Sequence, residues 1–379
     1  MATLPIIELG DDAFERGLTH GRELRTQVAD NLNTYLKRFE AGGLDPAAVR
    51  REGHVWAEVI AKQNPDYAEE MRGLAEGAGQ TLSNIAMLNA RYEITYGVFG
   101  DEAQASDKKT ATENVDGCTS YGVLPEATAD GRTLMGQNWD WLAGVHGRCA
   151  LLRIRRANAP DMICFTEAGI VGGKIGVNEH GIGISLNGLV SVHDGKYSYE
   201  KPCHVRCREI LDSETLDKAL LPVVATRRVC SANFVIGHGD GEVIDLETSP
   251  DETSYLYPRD GLMTHSNHFM DPRHGPSQME RIVPDTLYRA ERLDRLLRKD
   301  LGNLDGDKIK AALQDHFGAP NSICRHIDPV DPKAKAGQTN ASFVIDLRVR
   351  ALEVAYGPPC SNGYVSYSLD AEPAAQVAE

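Results

Sequence analysis

The chain has 379 residues, 41% of them hydrophobic and 25% charged, which supports two average domains or one large layered domain with a substantial core. A formal charge of −15 argues against nucleic acid or an anionic membrane as a partner, because both reward a basic surface. No apolar run reaches the length of a membrane span, and the opening MATLPIIELGDDAFERG lacks the basic and apolar regions of a secretory signal, so the expected compartment is the cytoplasm.

The first hundred residues read as mostly helical. Leu24, Val28, Leu32 and Leu36 recur at i, i+4 and line one helix face. A second helix is expected near Tyr67 to Glu76, closed by the Gly77–Gly79 run, and a third starts at Thr81 or Ser83. The stretch from Gly100 to Gly117 is polar, without periodicity, and reads as a loop or linker. After Cys118 short β-type runs take over: TLMGQNWDW, ALLRIRR, DMICFTEAG, GGKIGVNEHGIGISLNGL, SANFVIGHGDGEVIDLET and ASFVIDLRVRALEVAYG. Asn178–Gly181 and His238–Gly241 read as hairpin connections. Helices are expected at about Cys203 to Leu221, Pro284 to Lys299 and Gly306 to Phe317, and a frayed tail from Asp370. This order predicts an α+β chain, two antiparallel sheets with helices outside (an αββα sandwich), preceded by a helical segment.

Eight cysteines (118, 149, 164, 203, 207, 230, 324 and 360) are too sparse for a disulfide scaffold and read as reduced thiols. Cys203, His204 and Cys207 bring two thiols close, but no second such pair supplies the remaining ligands of a zinc site. His265 and His268, at i, i+3, lack a third ligand as well, so the expectation is no metal. The glycines of GIVGGKIG and GHGDGE lack the Gly-Lys-Ser/Thr ending of a phosphate loop.

ENVDGCTSYG, Glu113 to Gly122, carries the chemistry. An Asp-Gly step is ordinarily a turn, and a cysteine after it an inert buried thiol. If Gly117–Cys118 is instead a scissile bond, Cys118 gains an α-amine beside its thiol. Their ordinary pKa values, about 8.5 and about 7.7–8.0, let the amine take the thiol proton near neutral pH. The sulfur can also make the cut, by attacking the Gly117 carbonyl to give a thioester that water hydrolyses. Glycine leaves that carbonyl sterically open.

The segments DGCTSYGVLPEATADGRTLMGQNWDW, FTEAGIVGGKIGVNEHGIGISLNGL, SANFVIGHGDG, THSNH and SICRH occur in this order. Together they resemble the isopenicillin N acyltransferase family, a branch of the N-terminal-nucleophile (Ntn) hydrolases. The likeness runs from Cys118 to about Pro359 and, more loosely, through RGLTHGREL and EEMRGLAEGAG. It implies a self-cleaved precursor with an αββα Ntn core. Residues 1–117 would become the helical α subunit and 118–379 the catalytic β subunit of a heterodimer, with further homo-oligomerisation left open.

The resemblance also assigns roles. Cys118 matches the nucleophile. Asp140 matches an aspartate that holds the new ammonium, and Arg325 an arginine that favours the thiolate and pairs with Asp140. Asn267 matches an oxyanion donor, and Ser231 a serine that orients the nucleophile, although a strand-edge serine reads the same way. Asn187 lies in a family-like stretch and is read as a second polar contact to substrate, being equally a turn residue before Gly188, while His265, for want of a third metal ligand rather than from the resemblance, is read as structural or substrate-binding. One departure is the loop EATADGR, longer than the penicillin-forming enzymes lead one to expect. It points to a different acyl or amine partner.

Three functions stay open. The first is hydrolysis of a small N-acyl amide through an acyl-thioester on Cys118. The second is acyl transfer at the same site, with a coenzyme A thioester as co-substrate but no bound cofactor. The third is a non-catalytic binding protein on the same sandwich. A Cys/His metal protein built on Cys203–Cys207 and His265/His268 is the outlying possibility.

Overall fold

The computed structural model describes residues 3–105 and 117–371. The chain opens with a strand, β1 (Ile6–Leu9), and six helices follow: α1 (Ala13–Glu23), α2 (Arg25–Ala41), α3 (Pro46–Gln63), α4 (Pro65–Ala78), α5 (Leu82–Asn89) and α6 (Arg91–Ala105). Local chemistry starts them. Asp12, Asn64 and Thr81 each accept a hydrogen bond from the backbone N–H three residues on, and Asp45 from the N–H groups of Ala47 and Ala48. Pro46 and Pro65 occupy first-turn positions, where a missing N–H costs nothing. The linker expected from Gly100 is helical as far as Ala105; residues 106–116, and the tail from 372, lie outside the described residues.

Periodicity missed α1 because two glycines, Gly17 and Gly21, interrupt its pattern. Packing explains them. A Cβ on Gly17 would stand 1.9 Å from the Glu70 carbonyl oxygen, and one on Gly73 1.9 Å from that of Phe14. The backbones of α1 and α4 therefore touch, and the residues that weaken each helix alone join the pair. Glu70 locks the contact by accepting from Arg16 Nε of α1 at 2.8 Å and from Arg208 Nη1 at 3.1 Å.

After Gly117 come β2 (Thr119–Val123), β3 (Leu134–Leu142), β4 (Cys149–Ile154), β5 (Met162–Glu167), β6 (Ile175–Asn178) and β7 (Ile182–Gly188). Two helices, α7 (Cys203–Leu211) and α8 (Leu216–Val224), stand where one was expected. They precede β8 (Ala232–His238), β9 (Glu242–Thr248), β10 (Thr253–Leu256) and β11 (Leu262–His265). The remainder is α9 (Thr286–Leu297), α10 (Gly306–Leu313), β12 (Gly337–Asp346), β13 (Ala351–Ala355) and β14 (Tyr364–Ser368). The β6–β7 and β8–β9 turns fall where the sequence places them, with Gly181 and Gly241 at φ 76° and 113°.

The strands form an eight-stranded sheet, β1-β4-β5-β6-β7-β8-β9-β10, and a six-stranded sheet, β11-β2-β3-β12-β13-β14. Helices α7 and α8 cover the outer face of the first sheet, and α9 and α10 that of the second, while β2 and β3 face β7 and β8. These are the four layers of an αββα sandwich. The N-terminal segment is sewn to it. Ile6–Leu9 pairs in parallel with Leu151–Ile154, and Asn31 Nδ2 donates to the carbonyls of Arg148 and Ala168.

Glu167, at the end of β5, is a second clamp, buried against Arg91, Lys174 and the Tyr35 hydroxyl. Burial alone would raise its carboxyl pKa, but the Arg91 and Lys174 cations outweigh it and hold the value at about 2 rather than 4.5. A carboxylate depressed in the fold contributes stability above its unfolded pKa and loses it as acid approaches the folded one. Glu167→Gln is therefore expected to cost about 3–5 kcal/mol at neutral pH, because two buried cations lose their anion. The deficit relative to the native protein should shrink between about pH 4.5 and 2, as read by denaturant melts.

Candidate active site

Strand pairing sets the site. Cys118 immediately precedes β2, and Thr119 pairs with Asn138, so Cys118 lies beside the C-terminal half of β3, where Asp140 sits. Asp140 in turn pairs with Thr339 of β12. The Cys118 thiol is 3% exposed and donates to the backbone oxygen of Asp140 at 3.6 Å.

A buried chain of charges runs beneath this junction. The Asp140 carboxylate accepts from Thr339 Oγ1 at 2.6 Å and from Arg325 Nε at 3.4 Å. Arg325 continues to Asn321 Oδ1 at 2.6 Å and to Asp285 Oδ2, and Asp285 Oδ2 also accepts from Arg289 Nε at 2.7 Å. Arg289 completes the row. Its Nη1 donates to the Gly117 carbonyl, to the Cys118 carbonyl at 2.7 Å and to Thr119 Oγ1 at 2.8 Å, and its Nη2 to Asn267 Oδ1 at 2.9 Å. Two guanidinium groups alternate with two carboxylates, so the buried set is neutral as a whole, the condition under which such charges are tolerated.

The residues named from sequence do not all meet. Cys118, Asp140, Arg325 and Asn267 belong to this one network. Asn267 gives one amide hydrogen to the Gly188 carbonyl at 3.0 Å. Asn187 Nδ2 lies 3.4 Å from the Cys118 carbonyl and 3.4 Å from that of His265, so its amide holds the Cys118 backbone. Ser231 is engaged elsewhere. Its hydroxyl donates to Asp194 Oδ1 at 2.6 Å, and a hydroxyl has one proton to give, so in this arrangement it donates none to the thiol. His265 is committed too. Nε2 meets Glu247 Oε1 at 2.8 Å and Nδ1 the Ser266 carbonyl at 2.9 Å. Burial alone would push this imidazole down, but Asp245 and Glu247 raise it to about 9, so both nitrogens are protonated and spent inside the protein. That leaves no nitrogen for a substrate. Cys203 and Cys207 are buried one turn apart on α7, as two structural thiols would be.

The EATADGR loop is also displaced from its expected role. It joins β2 to β3 at the end remote from Cys118, a strand length of about 15 Å away. There it packs on Leu304 rather than over Cys118, Ala129 N–H donating to the Leu304 carbonyl.

Sequence reading missed Arg289 and Asp285. Their i, i+4 spacing gives the pattern of an ordinary surface ion pair, and only the fold shows that both are buried against the Gly117 carbonyl. Gly117 was singled out for its open carbonyl, and the structure adds a packing reason. A Cβ there would lie 2.4 Å from Arg325 Nε, 2.5 Å from Nη2 and 2.6 Å from Cζ. Gly117→Ala must push a doubly ion-paired guanidinium aside, at about 1–3 kcal/mol, so scission at this bond is expected to slow about 10- to 100-fold. Time-resolved gels measure the rate.

The layering of two facing sheets between helices, with a Gly-Cys junction entering a central strand, is the Ntn-hydrolase sandwich. Residues 127–359 match the family described as acyl-coenzyme A:6-aminopenicillanic acid acyl-transferase, and the chain belongs to that family. It is 30% identical over 351 residues to the acyl-coenzyme A:6-aminopenicillanic-acid-acyltransferase 40 kDa form of Emericella nidulans, covering 91% of this chain and 85% of that one. An uncharacterized protein of Archaeoglobus fulgidus is 24% identical over 357 residues, covering 83% of this chain and 58% of that one. Among solved structures, an N-acylethanolamine-hydrolyzing acid amidase ortholog of Caenorhabditis elegans superposes with a TM-score of 0.45 at 15% identity, covering 61% of this chain and 93% of that one. A conjugated bile acid hydrolase variant of Clostridium perfringens gives 0.44 at 13% identity, covering 65% and 96%. Among the described residues no helix is long and apolar enough to cross a membrane.

Proposed function

We propose that the chain cleaves itself at Gly117–Cys118 and then acts as an Ntn amidohydrolase on a small N-acyl amide. In the first reaction the Cys118 sulfur adds to the Gly117 carbonyl carbon and the C–N bond breaks, giving a thioester and a free α-amine on Cys118. Water then hydrolyses the thioester, leaving a Gly117 carboxylate and the Cys118 thiol. In turnover the α-amine takes the thiol proton, the sulfur attacks the substrate carbonyl, and the same proton leaves with the amine product. Water releases the acyl group from sulfur.

One observation carries the proposal: the carbonyl of the bond to be cut is held by the Arg289 guanidinium, directly before the buried Cys118 thiol. A cation on that oxygen favours the charge that develops when sulfur adds. For turnover, Asp140 and Arg325 lie close enough to set the charge around the new terminus, and Asn267 and Asn187 stand by as amide contacts. A cavity of about 380 Å³ is lined in part by Trp56, Tyr96, Ser191, Asp194, Tyr197 and Cys230, with none of Cys118, Asp140, Asn187, Asn267 and Arg325 in its lining. It is of a size that accepts a small organic group.

Acyl transfer to an amine is the second reading, favoured by the 30% identity to an acyltransferase. Both share every step up to the acyl-thioester. Mass spectrometry of the purified protein, alone and with a panel of N-acyl amides with and without an acceptor amine, separates them. Fragments 1–117 and 118–379, with an acyl adduct on the second, are expected; an unprocessed chain that nevertheless turns substrate over would exclude the mechanism.

A further inference from the structure

Four side chains that the proposed chemistry does not use converge beside Arg325. His316 follows α10, Cys324 and His326 flank Arg325 in the SICRH segment, and Cys360 lies in the turn between β13 and β14. One donor atom from each lies within 4.8 Å of every other. His326 Nε2 is at their centre, 3.1 Å from His316 Nε2, 3.4 Å from Cys360 Sγ and 3.7 Å from Cys324 Sγ.

A single imidazole nitrogen has one proton or one lone pair to offer and cannot satisfy three neighbours as a hydrogen-bonding hub. A shared cation can. With zinc–nitrogen bonds of about 2.05 Å and zinc–sulfur bonds of about 2.3 Å, a tetrahedron has N···N edges of about 3.3 Å and N···S edges of about 3.6 Å. The three distances stand within about 0.3 Å of those edges. Two thiolates with two imidazoles select a thiophilic ion over magnesium or calcium, which take oxygen donors. We infer that His316, Cys324, His326 and Cys360 form a Cys2His2 zinc site, contrary to the absence of metal expected from sequence. The spacing hides it: Cys324 and His326 make a tight pair, but the other ligands lie eight residues before and thirty-four after, and Cys360 arrives only through the β13–β14 turn.

The site has a structural consequence. Arg325 stands between two ligands, and its backbone is tied on the other side to Thr339, by its N–H to Oγ1 at 2.9 Å and by its carbonyl to the Thr339 N–H at 3.1 Å. A bound ion would hold the Arg325 segment against the β13–β14 turn and so fix the guanidinium under the Gly117–Cys118 junction. With four protein ligands it has no open position, which makes it a structural rather than a catalytic centre.

The experiment is metal analysis of the full-length protein grown in zinc-replete medium and dialysed, with Cys360→Ser and His316→Ala as comparisons. Cys360 and His316 are exposed, so both variants should fold, as circular dichroism will check. About one zinc per chain is expected in the parent, with affinity at least about 100-fold weaker in each variant. Cobalt exchanged into the parent should show the ligand-field and thiolate charge-transfer bands of a tetrahedral S2N2 site, absent from Cys360→Ser. Zinc affinity equal in parent and variants overturns the inference. So does a Cys324–Cys360 disulfide in protein kept under reducing cytosolic conditions, since bonded sulfurs cannot act as thiolate ligands.

Discussion

Cys118→Ala is expected to leave one 379-residue chain on a denaturing gel, with no measurable turnover, where the native protein gives fragments 1–117 and 118–379. The reason is atomic: in the proposed mechanism the same sulfur would open the backbone and later carry the acyl group, so nothing else would supply either step. Cys118→Ser should split slowly, because a hydroxyl is far less acidic than a thiol and loses its proton less readily. Neither change should unfold the protein. The residue is small, and its thiol donates over a long 3.6 Å to the Asp140 carbonyl, a contact whose loss costs little. Normal splitting of the alanine variant would rule out self-processing. The native fragments should stay together without denaturant. Pairing of β1 with β4, the Arg16–Glu70–Arg208 cluster and the Arg91–Glu167 pair all cross the cut.

How far the sequence discloses this follows from the range of each signal. Hairpins at Asn178–Gly181 and His238–Gly241 are local, set by a few turn residues, and the β-rich half is legible for that reason. Cys118 is singled out by ordered motifs, and Asp140 and Arg325, named from the same motifs, meet across β3 and the SICRH segment. What is not legible depends on contacts between distant parts. Helix α1 exists because Gly17 meets the α4 backbone. Ser231 and His265 sit in suitable motifs, but Asp194 and Glu247, invisible as partners in one dimension, take their protons. The EATADGR loop reads as a neighbour of Cys118 because it is only a few residues on, yet a strand carries it the whole length of the sheet. The Cys2His2 cluster fails to show for the same reason, its fourth member arriving by a turn between two late strands.

Arg289 carries the second large effect. Its guanidinium touches the oxygen that would turn anionic in the proposed addition of Cys118 to Gly117, and removing such a donor from a buried site costs about 10²- to 10³-fold in rate. Arg289→Ala is thus expected to slow appearance of the 118–379 fragment by about that factor. Arg289→Lys should fall between, since an ammonium keeps the charge but loses the planar fork that spans the Gly117 and Cys118 carbonyls and Asn267. A purely structural role predicts otherwise. Asp285 keeps Arg325 as a partner in either variant, but Arg289→Ala leaves the buried row one carboxylate in excess and should cost stability, so its fold is checked by circular dichroism before rates are compared, whereas Arg289→Lys keeps the row neutral. Added guanidinium at a sub-denaturing concentration should then restore splitting of the alanine variant in proportion to the site it refills. A folded Arg289→Ala protein that processes at the native rate would show instead that the scissile carbonyl needs no cation, and would return the task of stabilising its developing charge to backbone or Asn267 donors.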